Sequence, residues 1–266
     1  MKQSPLVAML SLCLSVAHPA FAQTAAPAAD ALQGKGDALY TQAPDVQAKE
    51  LAELRQRLLD WAKLGRYRAD NAALAPPAAG EQRVVFYGDS ITDAWGRMRG
   101  TTFFPGKPYV NRGISGQTTA QMLVRFRQDV IDLKPAAVVI LAGTNDLAGN
   151  TGLATQRMIE DNLRSMAELA QANHIKLVLA SVLPVSDYPW RPGLQPAEKI
   201  RALNAWIEQY AQSHGAVYLD YYSKLRNRQG GMDKALSYDG VHPTVAGYAL
   251  MAPLAQRALE RALAQP

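Results

Sequence analysis

Apolar residues follow two patterns along the chain, and the change comes at Arg83. Before it, Leu51, Leu54, Leu58 and Trp61 recur at helical spacing, predicting an amphipathic helix with Trp61 as a core anchor. Ala75-Pro76-Pro77 closes this stretch. After Arg83, short apolar runs at 84–87, 109–110, 137–142, 175–182 and 216–219 alternate with helical-period segments at 118–131, 156–172 and 196–213. Alternation of this kind predicts parallel strands joined by right-handed crossovers. Val138-Val139-Ile140-Leu141 is apolar on both faces, as a strand covered on each side requires. A last helix is expected from near Pro243, with Pro253 kinking or restarting it. The pattern is that of an α/β protein: a three-layer α/β/α sandwich with about five parallel strands.

The N-terminal residues change the domain picture. Met1-Lys2-Gln3, a mostly apolar stretch from Leu6 to Val16 and the small-x-small Ala20-Phe21-Ala22 predict a signal peptide over residues 1–22. A periplasmic or secreted location follows. The apolar run is too short for a spanning helix, so no stable membrane insertion is expected. Cys13 is the only cysteine, and cleavage after Ala22 would leave none, which excludes thiolate metal sites and cysteine nucleophiles. Residues 23–45, rich in Ala and Pro, predict a flexible segment. Residues 46–80 form a helical preface, and 81–266 fit one domain. The net charge of +5 is spread rather than striped. Arg97, Arg99, Arg112, Arg125 and Arg127 read as solvated surface, and no nucleic-acid partner is expected.

In open parallel sheets, ligands sit beyond the carboxyl ends of the strands. The first strand runs into Gly88-Asp89-Ser90, which presents a serine at the sheet's edge. Thr92 and Asp93 are the more natural caps for the following helix, freeing Ser90 for chemistry. A serine attacks only when a base takes its proton. His174 and His214 each close a helix before a strand and read as structural. His242 instead lies in Asp239-Gly240-Val241-His242-Pro243, where Asp239 can accept the Nδ1 proton and leave Nε2 for Ser90. The bland alternative is a capping Asp beside an incidental His. Oxyanion donors are expected from Gly113, which ends the second strand, from Asn145 in Gly143-Thr144-Asn145-Asp146, and from the Ser90 N–H. Each of these residues alone would also suit a turn or a cap.

Taken together, the blocks Gly88-Asp89-Ser90, Gly113, Gly143-Thr144-Asn145-Asp146 and Asp239–His242 resemble the SGNH, or GDSL, hydrolase superfamily in order and in position relative to the strands. The likeness covers Val84 to about Leu263. The strings Val84-Val85-Phe86-Tyr87-Gly88-Asp89-Ser90-Ile91-Thr92 and Asn111-Arg112-Gly113-Ile114-Ser115-Gly116 resemble the branch of platelet-activating-factor-acetylhydrolase-like esterases and carbohydrate acetylesterases. The resemblance implies a flavodoxin-like fold, a carboxylic ester hydrolase, Ser90 as nucleophile, His242 as base and Asp239 as orienting acid. It also implies Gly113 and Asn145 as oxyanion donors. No Gly-x-Ser-x-Gly elbow, Walker loop or HExxH pair points elsewhere, and neither cofactor nor metal is called for.

The expected reaction is hydrolysis of short-chain esters, acetyl first, on a small molecule or a glycan. An arylesterase, thioesterase or lysophospholipase stays open, as does a noncatalytic carbohydrate-binding protein. The loop at 186–196, with Tyr188 and Trp190, is expected to overhang the site or to pack down. Phe103, Phe104 and Tyr109 suit an acyl pocket or the core equally. Oligomeric state leaves no trace in the sequence.

Overall fold

The computed structural model describes residues 44–265. The signal peptide expected over 1–22, and most of the flexible segment expected over 23–45, lie outside the described residues. The chain divides into two units, 1–55 and 56–266. The described part of the first unit is the opening of helix α1 (Pro44–Leu59), on which Leu51 and Leu54 are exposed. The second unit holds all that follows.

Trp61 is not a core anchor. It is 45% exposed, and Leu58 before it is 82% exposed. Helical spacing identified the helix but not a partner for its apolar stripe. The preface is tied down instead by Tyr67, which is buried, and by α2 (Arg68–Ala73). The Tyr67 hydroxyl donates to the Gly113 carbonyl, and Asn71 donates from Nδ2 to Asp129 Oδ1 at 2.7 Å.

Five strands make the sheet: β1 (Val84–Gly88), β2 (Tyr109–Gly113), β3 (Ala137–Leu141), β4 (Lys176–Ala180) and β5 (Val217–Leu219). Their order is β2-β1-β3-β4-β5, and every pairing is parallel. The sheet reverses its direction of growth at β1, so a crevice opens between the loops after β1 and β3. Alternate residues feed two cores. Val85, Tyr87, Val138, Ile140, Leu177 and Leu179 pack with α4 (Thr119–Asp129), α6 (Gln156–Ala172) and α7 (Ala197–Ser213). Val84, Phe86, Val139, Leu141 and Val178 pack against α9 (Val245–Leu263) and an aromatic cluster. Short helices α3 (Ser90–Ala94), α5 (Thr144–Leu147) and α8 (Tyr222–Leu225) follow β1, β3 and β5.

Helix α9 runs through Pro253 as one element, so the restart, one of the two outcomes expected there, does not occur. Phe103, Phe104 and Tyr109 join Phe86 and Trp95 in the aromatic cluster, so they belong to the core. Arg125 and Arg112 are buried, not surface charges. Arg125 is completely buried, and its fork meets carbonyls at the strand ends: Arg112 at 2.9 Å and Gly88 at 3.1 Å. The same guanidinium donates to Gln117 Oε1, pairs with Asp129 at 3.0 Å and lies 4.2 Å from the Tyr87 ring centre. Five fixed donors find enough acceptors there to offset desolvation of the charge.

Candidate active site

The end of β1 fixes Ser90. Asp89, not Thr92 or Asp93, caps α3, its Oδ1 accepting from the Ile91 N–H at 3.0 Å. Ser90 is therefore the first residue of the helix. Its N–H is among the amides that no preceding turn of helix can satisfy. The loop before α9 supplies the partners. Ser90 Oγ lies 2.9 Å from His242 Nε2, although the two residues are 152 positions apart. His242 Nδ1 lies 2.7 Å from Asp239 Oδ2. Asp239 Oδ1 accepts from the N–H groups of His242 at 2.7 Å and Val241 at 2.9 Å, which folds the segment into a turn with the ring facing the sheet. Thr244 then caps α9. His214 caps the end of α7, with Nδ1 beside the Tyr210 carbonyl at 2.9 Å and away from these groups.

A cavity of about 400 Å³ opens over the serine, lined by Ser90, Ala94, Ser115, Gly116, Asn145, Asn150, Trp190, Tyr238 and His242. Gly113 is not among these residues. It ends β2 opposite Gly88, and its N–H donates to Asn111 Oδ1 at 2.9 Å. A Cβ on Gly113 would fall 2.1 Å from the Asp93 nitrogen, so this glycine serves the close approach of α3 to β2. The expectation that Gly113 donates to an oxyanion is corrected on this geometry. Gly116, three residues on, reaches the cavity with φ +80° and open space around it. Gly116 was not singled out by sequence, and the length of β2, which runs through Gly113, separates the two glycines.

Asn145 sits in α5, where Gly143 turns the chain with φ +118°. Asn145 Nδ2 donates to the Gln117 carbonyl at 3.0 Å and, more weakly, to Asp89 Oδ2 at 3.3 Å. Its Oδ1 accepts from Asn150 Nδ2 at 2.7 Å. Asn150 in turn accepts from Trp190 Nε1 at 3.1 Å. Asn150 and Tyr238, whose ring stacks 5.7 Å from that of His242, were not singled out by sequence. The signal for Asn150 was faint: a polar residue directly after Gly149, one turn beyond Asn145. The 186–196 loop does both things expected of it. Tyr188 packs down, buried with its hydroxyl 3.0 Å from Thr144 Oγ1, while Trp190 is 44% exposed and overlooks the cavity.

Burial pushes the Asp89 carboxyl up to about 6, against the Ile91 N–H and the nearby His242, which lower it. Burial also pushes Asp146 up to about 6, opposed by its hydrogen bonds from Thr119. Burial acts upward on Asp239 too, but the His242 N–H, the imidazole and the Val241 N–H outweigh it and hold Asp239 below its ordinary value. For Asp89 and Asp146 the linkage favours folding most below the ordinary 3.8, and that contribution is lost as pH rises through about 6. Asp239 has the opposite sign, losing its contribution as pH falls through its lowered value. In Asp146→Asn, the difference in unfolding free energy between about pH 5 and about pH 7.5 is expected to shrink by about 1 kcal/mol. Urea titrations of both proteins at the two pH values measure it, and identical pH dependence would refute the assignment.

Among the described residues, no cluster of His, Cys, Asp or Glu could hold a metal ion, and no helix is long and apolar enough to cross a membrane. Residues 86–250 match the model of the GDSL-like lipase/acylhydrolase family. A GDSL-like lipase of Bacteroides thetaiotaomicron is similar in structure, with TM-score 0.73 and 47% identity, covering 76% of this chain and 98% of that one. Esterase TesA of Pseudomonas aeruginosa is 30% identical over 183 residues, 63% of this chain and 83% of its own. The acetylxylan esterase of Geobacillus stearothermophilus is 26% identical over 202 residues, 64% of this chain and 90% of its own. With well over half its length matched, and a parallel five-stranded α/β fold shared with such enzymes, the chain belongs to the GDSL-like lipase/acylhydrolase family of ester hydrolases.

Proposed function

We propose that the protein hydrolyses short-chain esters, acetyl esters first, through an acyl-enzyme on Ser90. The observation that carries this reading is the continuous chain of contacts from Ser90 Oγ to His242 Nε2 and from His242 Nδ1 to Asp239, set at the cavity floor. His242 takes the Ser90 proton as Oγ bonds to the ester carbonyl carbon. Asp239 orients the ring and stabilises the imidazolium. The carbonyl–alkoxy bond then breaks, and the alcohol leaves with the proton from His242. Water, deprotonated by the same imidazole, attacks the acyl-serine, releasing the acid and restoring the hydroxyl.

The oxyanion is held by the Ser90 N–H, the Gly116 N–H and Asn145 Nδ2. Asn150 supports this reading by occupying Asn145 Oδ1, which leaves the amide's donor end toward Asp89, Gln117 and the cavity. The long 3.3 Å contact with Asp89 is the one an incoming oxyanion displaces. Asn145→Ala is expected to lower kcat by about a hundredfold to a thousandfold with little change in KM. Steady-state assays on nitrophenyl acetate check this, and a KM effect alone would remove Asn145 from the transition state.

The cavity's volume of about 400 Å³ favours a small acyl group over a long tail. The acetylxylan esterase among the relatives favours a glycan as the alcohol. Export to the periplasm or medium rests on the first 22 residues. Rapid-quench mass spectrometry with nitrophenyl acetate tests the covalent step. One added acetyl on the peptide containing Ser90 is expected, and full turnover with no acylation of that peptide would rule the pathway out.

A further inference from the structure

Beside the serine cavity runs a second, larger space of about 1020 Å³, lined by Gln56, Asp60, Trp61, Lys63, Arg66, Gln121 and Thr151, among others. It shares Ser115, Gly116 and Asn150 with the cavity over Ser90, so the two adjoin. One wall comes from the preface, upstream of the segment that matches the family model. We propose that this groove is a glycan-binding cleft with Trp61 as its stacking platform, so that the ester cleaved is borne by an oligosaccharide lying across both spaces. The proposal deepens the reading of Ser90 as an ester hydrolase nucleophile and rests on it.

The wall is built to hold still. The Asp60 carboxylate accepts from the N–H groups of Leu64 at 2.6 Å and Gly65 at 3.0 Å, closing the loop on itself. Three glutamine amides of the α4 region then grip three of its four carbonyls from Trp61 to Leu64: Gln121 that of Trp61 at 2.6 Å, Gln117 that of Ala62 at 2.7 Å and Gln128 that of Leu64 at 2.8 Å. Lys63, held at φ +54°, donates from Nζ to the Ser115 carbonyl at 3.3 Å. Ala62 is buried beneath this lattice, while Trp61 beside it keeps 45% of its surface open. A backbone fixed by so many side chains, yet presenting its largest apolar side chain to solvent, departs from ordinary packing.

The lining suits an occupant of mixed chemistry. Carbon surface from Trp61 and the side-chain stems lies beside the amide, hydroxyl and charged ends of Gln56, Gln121, Asn150, Thr151, Asp60 and Arg66. An acyl chain would meet the carbon surface but leave those polar ends without partners. A sugar chain offers hydroxyls to Gln121, Asn150, Thr151 and Arg66, while its C–H faces meet the negative face of the indole. Trp190 stands over the adjoining cavity, hydrogen-bonded to the shared Asn150. A glycan entering along the groove would therefore pass one indole before reaching the serine and meet another beside it.

The test compares three substrates on the wild type, Trp61→Ala and Trp61→Phe: nitrophenyl acetate, and a short and a long O-acetylated xylo-oligosaccharide. In the wild type, kcat/KM is expected to rise with sugar chain length. In Trp61→Ala that rise is lost through KM, about tenfold on the long substrate, while nitrophenyl acetate turnover is unchanged. Trp61→Phe restores most of it. Calorimetric titration of Ser90→Ala with the deacetylated long oligosaccharide reads the groove without any chemistry, and Trp61→Ala in that background should abolish the heat. No dependence on sugar length, an equal loss on all substrates, or a loss confined to long-chain acyl esters would overturn the glycan assignment. Failure of the serine reading shows separately, as nitrophenyl acetate hydrolysis that survives Ser90→Ala.

Discussion

Ser90→Ala is expected to lower kcat on nitrophenyl acetate by at least about a thousandfold, leaving only what the oxyanion donors and substrate binding supply. Among the described residues lining the cavity, only the Ser90 hydroxyl is bonded to an imidazole, at 2.9 Å from His242 Nε2; the other serine there, Ser115, donates to the Asp93 carboxylate instead. His242→Ala should fall nearly as far, because an alcohol without a base is a weak nucleophile. Asp239→Asn should fall less far if the carboxylate only orients the ring, although its Oδ1 also holds the turn through the Val241 and His242 N–H groups. Stopped-flow measurement of nitrophenol release, with circular dichroism to confirm an unchanged fold, decides the matter. Comparable rates for wild type and Ser90→Ala would end the mechanism.

The largest effect on stability is expected at Arg125. Replacing it by Leu leaves the Asp129 carboxylate buried without its cation and leaves the Gly88 and Arg112 carbonyls without a shared donor. Loss of one partner of a buried pair costs about 3–5 kcal/mol. Adding Asp129→Asn should recover part of it, because the stranded charge is gone. The guanidinium also braces the two turns that carry chemistry, through the Gly88 carbonyl before Ser90 and through Gln117 beside Gly116. At temperatures where Arg125→Leu remains folded, kcat should therefore drop about tenfold or more through misplacement of those turns. Urea unfolding and assays on the single and double variants measure both. A cost below about 1 kcal/mol would show that water replaces the fork freely.

How far the molecule could be read from its residues depended on whether local pattern or distant packing decided each feature. β1, β3 and β4 were legible because a strand covered on both faces must be apolar throughout. The 156–172 helix emerged from its period alone. Ser90, Asp239, His242 and Asn145 were singled out because their blocks together resemble a known family, and the structure brings Ser90, His242 and Asp239 within hydrogen-bonding distance. Gly113 was chosen as an oxyanion donor because it follows the second apolar run, and only its pairing with Gly88 shows that β2 reaches through this glycine, leaving Gly116 at the cavity. Arg125 was taken as surface because charge predicts exposure unless acceptors gather around it, and these acceptors come from β1, β2 and the loop before α4. The cap at Asp89 was missed because helix α3 begins one residue earlier than an uncommitted serine would allow. Trp61 was misassigned for the complementary reason: a helical stripe reveals an apolar face but not what, if anything, lies against it.

The distance in sequence between hydroxyl and imidazole sets a timetable for the newly made chain. Ser90 is made 152 positions before His242, and His242 is positioned only once α9, with Tyr248, Met251, Ala255 and Leu259 buried, has docked on the sheet. On the proposed mechanism, a growing polypeptide thus carries the Ser90 hydroxyl for most of its synthesis without the imidazole that would deprotonate it. Hydrolytic power arrives with the closing helix, as the last act of maturation.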